Sequence, residues 1–286
     1  EEEDIEKAKA EVKRACSGEM PFDLLADGVP PVKFALAKVL GLESDVHVLG
    51  FAMHHAVYDG TSFEIISREM GQMYRLAGRD SSLGNPLPVQ YGDYAEWQRR
   101  WLAESEEAKS QLAFWADQLS GELPTLSLQT DKPRPAVLGH AGASVPVKLC
   151  PEVVRGLRDL GQLASGGSTT LFATILALYQ LMLCRLSRQE EVVVGIPFHG
   201  RTRPELSRQV GYFVKVLPIR TFVAPDDTLK KFIARVRRTL LACISNADIP
   251  FPQIARQAIS VRHDPSRSSP IFQAFFTLQT FSGSKL

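Results

Sequence analysis

Two adjacent histidines and an aspartate four residues on, in Phe51-Ala52-Met53-His54-His55-Ala56-Val57-Tyr58-Asp59-Gly60-Thr61-Ser62, are the residues of this chain best suited to chemistry. Imidazole takes or returns a proton near neutral pH, which suits general acid–base work. Neighbouring residues on a strand point to opposite faces, so His54 and His55 are expected to divide the labour, one facing a cavity and one steadying the loop. A buried Asp59 carboxylate would need a cation or several donors, because an unpaired buried charge is costly. Gly60 tolerates positive φ and lets a substrate come close to the backbone. A plainer arrangement, packed histidines beside a helix-capping aspartate, explains the same residues. A metal site is not supported, since Cys16, Cys150, Cys184 and Cys243 are scattered and no ligand spacing accompanies the histidines.

The elements that must position this stretch follow from hydrophobic periodicity. Val46 to Met53 is short and apolar and reads as a buried strand; Ser62 to Ala77 carries Phe63, Ile65, Ile66, Met70, Met73 and Tyr74 at helical spacing. Further out, Glu1 to Cys16 reads as an amphipathic helix with Ile5, Ala8, Val12 and Ala15 on one face. A loop rich in Gly, Ser, Asp and Pro is expected over Gly78 to Pro88. Ala143 to Leu149 alternates like a half-buried strand, and Pro151 opens a helix that runs to about Ala164. Gly166-Gly167-Ser168 is a turn leading into a buried helix from Thr169 to Leu186, without the lysine of a phosphate-binding loop. Glu191 to Pro197 is a β-branched buried strand, and Asp226 to Ser245 a helix capped by Asp226 or Asp227. The last expected element is a core strand from Ile271 to Phe281.

Composition narrows the classes. The chain has 286 residues, 44% hydrophobic and 23% charged, with a net charge of +1, enough for two domains with a sizeable core. So little net charge gives no support for nucleic acid or a membrane surface as partner. The acidic start, Glu1 to Asp4, is the reverse of a secretory leader, and the dispersed cysteines fit reduced thiols, so a cytoplasmic location is expected. The longest apolar stretch, Thr169 to Cys184, is short for a bilayer span and is interrupted by Gln180.

The His54-His55-Ala56-Val57-Tyr58-Asp59-Gly60 stretch matches the His-His-x-x-x-Asp-Gly signature of the condensation domains of nonribosomal peptide synthetases and hybrid polyketide/peptide synthases, a signature shared with chloramphenicol acetyltransferase-like acyltransferases. Other segments resemble that family in order along the chain. They are Pro21-Phe22-Asp23-Leu24, Tyr91-Gly92-Asp93-Tyr94-Ala95-Glu96-Trp97, Asp131-Lys132-Pro133-Arg134-Pro135, the Gly200-Arg201 pair, Val210 to Arg220, Asn246 to Phe251, and Arg262 to Gln273. The chain resembles the middle of such a domain, incomplete at both ends. Where the family has asparagine, this chain has Lys215; Tyr58 and Thr61 stand where many relatives carry Ser and Trp.

The resemblance implies an α/β (α+β) fold of two chloramphenicol acetyltransferase-like lobes forming a V around a central tunnel. Here the lobes would be residues 1–128, with the histidine motif, and 129–286, both partial. The aromatic segment at Tyr91 would be structural. The implied reaction is acyl transfer: a carrier-tethered amine attacks a carrier-tethered acyl thioester, giving an amide and a longer chain. His55 would be the catalytic histidine, with His54, Asp59 and Gly60 completing the motif. Arg201 would pair with Asp59, with Arg203 or Arg208 as substitutes. Tyr58, Ser62, Lys215 and Gln273 would line the tunnel, although Lys215 is equally readable as a solvent-facing strand residue. No cofactor or metal of its own is expected, since substrates ride on the phosphopantetheine arms of upstream donor and downstream acceptor carriers within a larger synthase. Two other functions share the motif: an acyltransferase using a free alcohol, amine or coenzyme A donor, and a non-catalytic carrier-docking domain.

Overall fold

A computed structural model describes residues 2–17, 30–40, 45–76, 86–132, 135, 139, 141–165, 169–258 and 271–279. Several expected features lie outside these residues: the Pro21–Leu24 motif, most of the loop from Gly78, the turn 166–168, and the Arg262–Ser269 part of the last motif. The chain divides into two compact units, residues 1–94 with 201–213, and residues 95–200 with 214–286. The expected lobe boundary at 128/129 falls inside the second unit, because α4 (Glu106–Gln118) packs on α8 (Phe251–Ala258) there.

In the first unit, β1 (Val32–Val39) and β2 (Val46–Met53) pair antiparallel, with Phe34 opposite Phe51 and Leu36 opposite Leu49. One face is covered by α1 (Glu2–Ser17), whose Ala8, Val12 and Cys16 are buried. The inward stripe therefore ends on Cys16; Ala15, expected on it, is exposed. From the end of β2 the chain makes a 3₁₀ turn, His55–Val57, and enters α2 (Gly60–Leu76), which buries Ser62 and Ile65. Residues 201–213 complete this unit, with a second 3₁₀ turn at Pro204–Leu206. Phe213 is fully buried there, with Leu206 and with Tyr91 and Tyr94 from the first turn of α3 (Tyr91–Glu104).

In the second unit, β3 (Glu191–Phe198) is the central strand, antiparallel to β4 (Lys215–Phe222) and parallel to β5 (Ala274–Phe275). Its run from Val192 to Ile196 is buried throughout, as an apolar, β-branched strand with neighbours on both sides should be. α5 (Pro151–Ser165), α6 (Leu171–Ser187) and α7 (Leu229–Ser245) pack together, and α6 and α7 cover the sheet. Gln180, the polar interruption in α6, is fully buried yet satisfied: it donates to Ile219 O at 3.0 Å and accepts from the Thr221 hydroxyl at 3.2 Å.

Three expectations fail in this unit. Residues 143–149 are not a strand, and Val145, Val147 and Leu149 are exposed, because alternation needs a pairing partner to become a strand and none is present among the described residues. The last strand is only Ala274–Phe275. The cap of α7 is Thr228, whose hydroxyl accepts from Lys231 N at 3.3 Å; Asp227 instead accepts from Ala224 N and Arg235. Among the described residues no helix is long and apolar enough to cross a membrane.

Candidate active site

Asp59 anchors the site by doing two jobs. It caps α2 in the ordinary way, Oδ1 accepting from Ser62 N at 2.8 Å and also from the Ser62 hydroxyl at 2.9 Å. Its other oxygen, Oδ2, accepts from Arg201 Nη1 at 2.7 Å and from Phe213 N at 3.0 Å. All four acceptor positions of the carboxylate thus have a donor group within reach, and the Asp59 and Arg201 side chains are each only 4% exposed. Burial pushes the Asp59 carboxyl up. The Arg201 guanidinium outweighs it, together with the amides of Ser62 and Phe213 and the Ser62 hydroxyl, so the group sits below the ordinary carboxylate range.

Of the three candidate arginines, Arg201 takes the position beside Asp59; Arg203 and Arg208 are exposed. Gly200, at φ 66°, turns the chain just before it, a conformation natural to glycine. Arg201 Nη2 also donates to Gln209 O and to the Ser62 hydroxyl, both at 3.0 Å, and the guanidinium carbon lies 4.4 Å from the Phe213 ring centroid. Ser62 Oγ accepts from Gly211 N at 3.0 Å and has Gly211 O at 2.8 Å as a second possible acceptor for its single proton. Ser62 was expected to line a channel. It is instead wholly buried, with its hydroxyl consumed in this network.

The two histidines carry opposite tautomers. His54, in extended backbone just after β2, accepts from Ala56 N through Nδ1 at 3.1 Å. An amide N–H can only donate, so in the neutral ring the His54 proton is on Nε2. His55 Nδ1 lies 3.0 Å from Tyr58 O, and a carbonyl can only accept, so in the neutral ring this nitrogen carries the proton and Nε2 has the lone pair. His54 steadies the turn; His55 is exposed. The expected division of labour therefore rests on the 3₁₀ turn that His55 opens, and strand alternation does not supply it. The His55 ring stacks on Tyr58 with centroids 4.9 Å apart, and meets Tyr212 edge-on at 5.7 Å. Tyr212 is held in turn by Tyr91, whose hydroxyl donates to Tyr212 O at 2.9 Å. Burial, then the Asp59 charge, raise the Tyr91 phenol and keep it protonated.

Gly60, the first residue of α2, is not in the left-handed region. Its use is space: a Cβ there would meet nothing within 4 Å. Two other expected site residues lie in the second unit. Lys215, the first residue of β4, is 8% exposed, which excludes the solvent-facing alternative; burial pulls its amine down to about 8, partly opposed by Asp248. Gln273 is half-buried, and its Oε1 accepts from Leu126 N at 2.8 Å, a scaffold bond. Among the described residues no group of three or more His, Cys, Asp or Glu is arranged to hold a metal ion. Sequence reasoning missed Gln209 O, Gly211 N and Phe213 N, because backbone groups carry no residue identity. It also missed Tyr212, for which its place between Gly211 and Phe213 was the only signal.

Comparison with known proteins identifies the family. Gramicidin S synthase 2 of Brevibacillus brevis is 35% identical over 262 residues, covering 91% of this chain and 6% of that protein. Malpinin synthetase of Mortierella alpina is 36% identical over 247 residues, 85% of this chain and 3% of the relative. The chain therefore spans only a small part of the curated relatives it matches. Among solved structures, the X-domain in its complex with OxyB from teicoplanin biosynthesis superposes with a TM-score of 0.78 at 26% identity, over 94% of this chain and 58% of that one. The four-domain nonribosomal peptide synthetase AB3403 shares the fold, with a TM-score of 0.77 at 22% identity, over 98% of this chain and 20% of that one. These likenesses bear out the mixed α/β, chloramphenicol acetyltransferase-like fold class. Residues 1–285 match the condensation-domain family over nearly their whole length, and the chain belongs to that family.

Proposed function

We propose that this chain is part of an acyltransferase that joins a carrier-tethered acyl thioester to a carrier-tethered amine, forming an amide and lengthening the chain in nonribosomal peptide or hybrid polyketide synthesis. The observation that carries it is the His55 ring itself. Its Nδ1–H is spent on Tyr58 O, so an exposed ring is left with Nε2 as its only proton acceptor. Nε2 takes a proton from the attacking amine, or hydrogen-bonds to the zwitterionic tetrahedral intermediate, while the pantetheine thiolate leaves. A free α-amine has a pKa of about 8, so little proton-abstracting power is needed, and holding the two substrates in line supplies most of the rate.

The other residues serve this geometry. His54 fixes the turn, the Asp59–Arg201–Ser62 network locks the end of α2 to residues 209–213, and the open space at Gly60 leaves room for the acyl group. Tyr58, half-buried beside His55, lines the approach. The chain brings no cofactor of its own in this reading. Phosphopantetheine arrives on the upstream and downstream carriers, and tethering supplies the effective concentration.

The test is single-turnover transfer between two loaded carriers by the intact parent protein, read by intact-protein mass spectrometry, wild type against His55→Ala. Product on the acceptor carrier only when His55 is present supports the reading. Transfer undiminished in His55→Ala overturns it. Binding of both carriers by wild type with no transfer to any acceptor identifies a docking domain instead.

A further inference from the structure

Two aromatic contacts meet at the His55 ring that the transfer reaction alone does not call for. One flat face stacks on Tyr58, at 4.9 Å and an interplanar angle of 20°. Tyr212 presents its ring nearly perpendicular, at 5.7 Å and 78°. Tyr212 is itself fixed from behind: its carbonyl accepts from the Tyr91 hydroxyl, and its neighbours Gly211 and Phe213 are bound to Ser62 and Asp59. An exposed imidazole on a short turn would otherwise rotate freely about χ2, since torsions onto a flat ring are broad. A single hydrogen bond from Nδ1 to Tyr58 O is weak restraint in water, about 1 kcal/mol.

We propose that Tyr58 and Tyr212 form an aromatic clasp that holds the His55 ring in one plane, and that both are positioning residues for the transfer step. This rests on the acyl-transfer reading of the same site. The clasp acts in two ways. Stacked and edge-on contacts each favour one ring orientation, so the Nδ1–H···O bond is kept and Nε2 stays the nitrogen that accepts the proton. Once Nε2 is protonated, the imidazolium lies against the electron-rich face of Tyr58, where a cation is favoured. The clasp also couples His55 to the buried network. Gly211 is too close to Tyr91 to carry a side chain (its Cβ would stand 2.2 Å from Tyr91 Cδ2), so residues 211–213 hold Tyr212 against His55 with little play.

The phenol oxygens of the two tyrosines have no part in this, so phenylalanine should serve at either position and leucine should not. The experiment measures kcat and KM for transfer between loaded carriers in the intact parent protein for Tyr212→Leu, Tyr212→Phe, Tyr58→Leu, Tyr58→Phe and His55→Ala. Tyr212 is 39% exposed, so its truncation is tolerated by the fold; the thermal midpoint of each variant is recorded alongside. The expected result is a fall in kcat of about 10- to 100-fold for each leucine variant, with KM within about two-fold, as slight misplacement of a reacting group produces. The phenylalanine variants should return to wild-type rates. Wild-type kcat in Tyr212→Leu, with His55→Ala inactive, overturns the clasp and leaves the acyl-transfer reading standing. Loss of kcat in Tyr212→Phe equal to that in Tyr212→Leu also overturns it, because the hydroxyl and not the ring would then matter. Transfer surviving in His55→Ala removes the reading on which the clasp depends.

Discussion

Replacing Asp59 by asparagine keeps the volume of the side chain and inverts one of its two polar ends. In either orientation the new NH₂ must face a donor. Turned toward the old Oδ2 position it meets both Arg201 Nη1 and Phe213 N; turned toward Oδ1 it meets Ser62 N, although the Ser62 hydroxyl can turn its proton to Gly211 O instead. The second orientation is the better one. It still leaves the Ser62 amide without its acceptor and the guanidinium, 4% exposed, without a counter-charge. Removing one partner of a buried ion pair costs about 3–5 kcal/mol, against a total stability of about 5–15 kcal/mol for an ordinary domain. Urea denaturation of Asp59→Asn should therefore show a loss of about 3–5 kcal/mol. Asp59→Asn with Arg201→Met should recover part of it, giving a coupling of about 2–3 kcal/mol, because no buried charge then lacks a partner. The pH dependence carries the sign. Asp59 has its folded-state pKa depressed, so its contribution is present above the unfolded-state value of about 4 and is lost as pH falls through the folded value. The gap between wild type and Asp59→Asn should accordingly close as pH drops below about 4. A loss under about 1 kcal/mol at pH 7, or a gap that stays constant to pH 2, would show that the buried Asp59–Arg201 pair does not hold this end of α2.

Lys215→Met should stabilise the chain. Burial lowers this amine from 10.5 to about 8, so the unfolded state binds more protons than the folded one between these values, and stability falls as pH drops through that window and is flat below it. Denaturation midpoints should place the gain at about 3 kcal/mol at pH 7 and show it vanishing near pH 10.5. Gly60→Ala should raise stability by up to about 1 kcal/mol, because nothing stands within 4 Å of the new Cβ and alanine favours the helix; the same variant should slow transfer if the acyl group passes there. Gly211→Ala should cost about 1–3 kcal/mol by thermal denaturation, since its Cβ would overlap Tyr91, whose hydroxyl is tied to Tyr212 O.

What could be read from the sequence was what local pattern or side-chain identity encodes. The helix after Asp59, the β2 strand before His54 and the apolar run of β3 declare themselves by period and composition, and Asp59 with Arg201 by charge in a resembling motif. What could not be read was set at a distance. Residues 143–149 alternate as well as any strand, but pairing is a tertiary event. Asp226, Asp227 and Thr228 are all good caps; the choice fell to Thr228 because Arg235 and Ala224 N engage Asp227. Ser62 looked like a lining residue on its position after the motif, and only the fold shows its hydroxyl turned into the network.

The ion pair at the site joins positions 142 residues apart in the chain. A ribosome adding about 5–20 residues per second needs roughly 7–30 s to pass from Asp59 to Arg201, longer than most small domains take to fold. Throughout that interval the N-terminal segment can form α1, β1, β2 and α2, yet Asp59 has only the start of α2 to bond with. The loop from Arg201 to Phe213 is therefore a timer as well as a brace. It withholds closure of the first unit until β3 has left the ribosome, and slower or faster elongation across the intervening codons should change how long the half-built unit is exposed to proteases and chaperones.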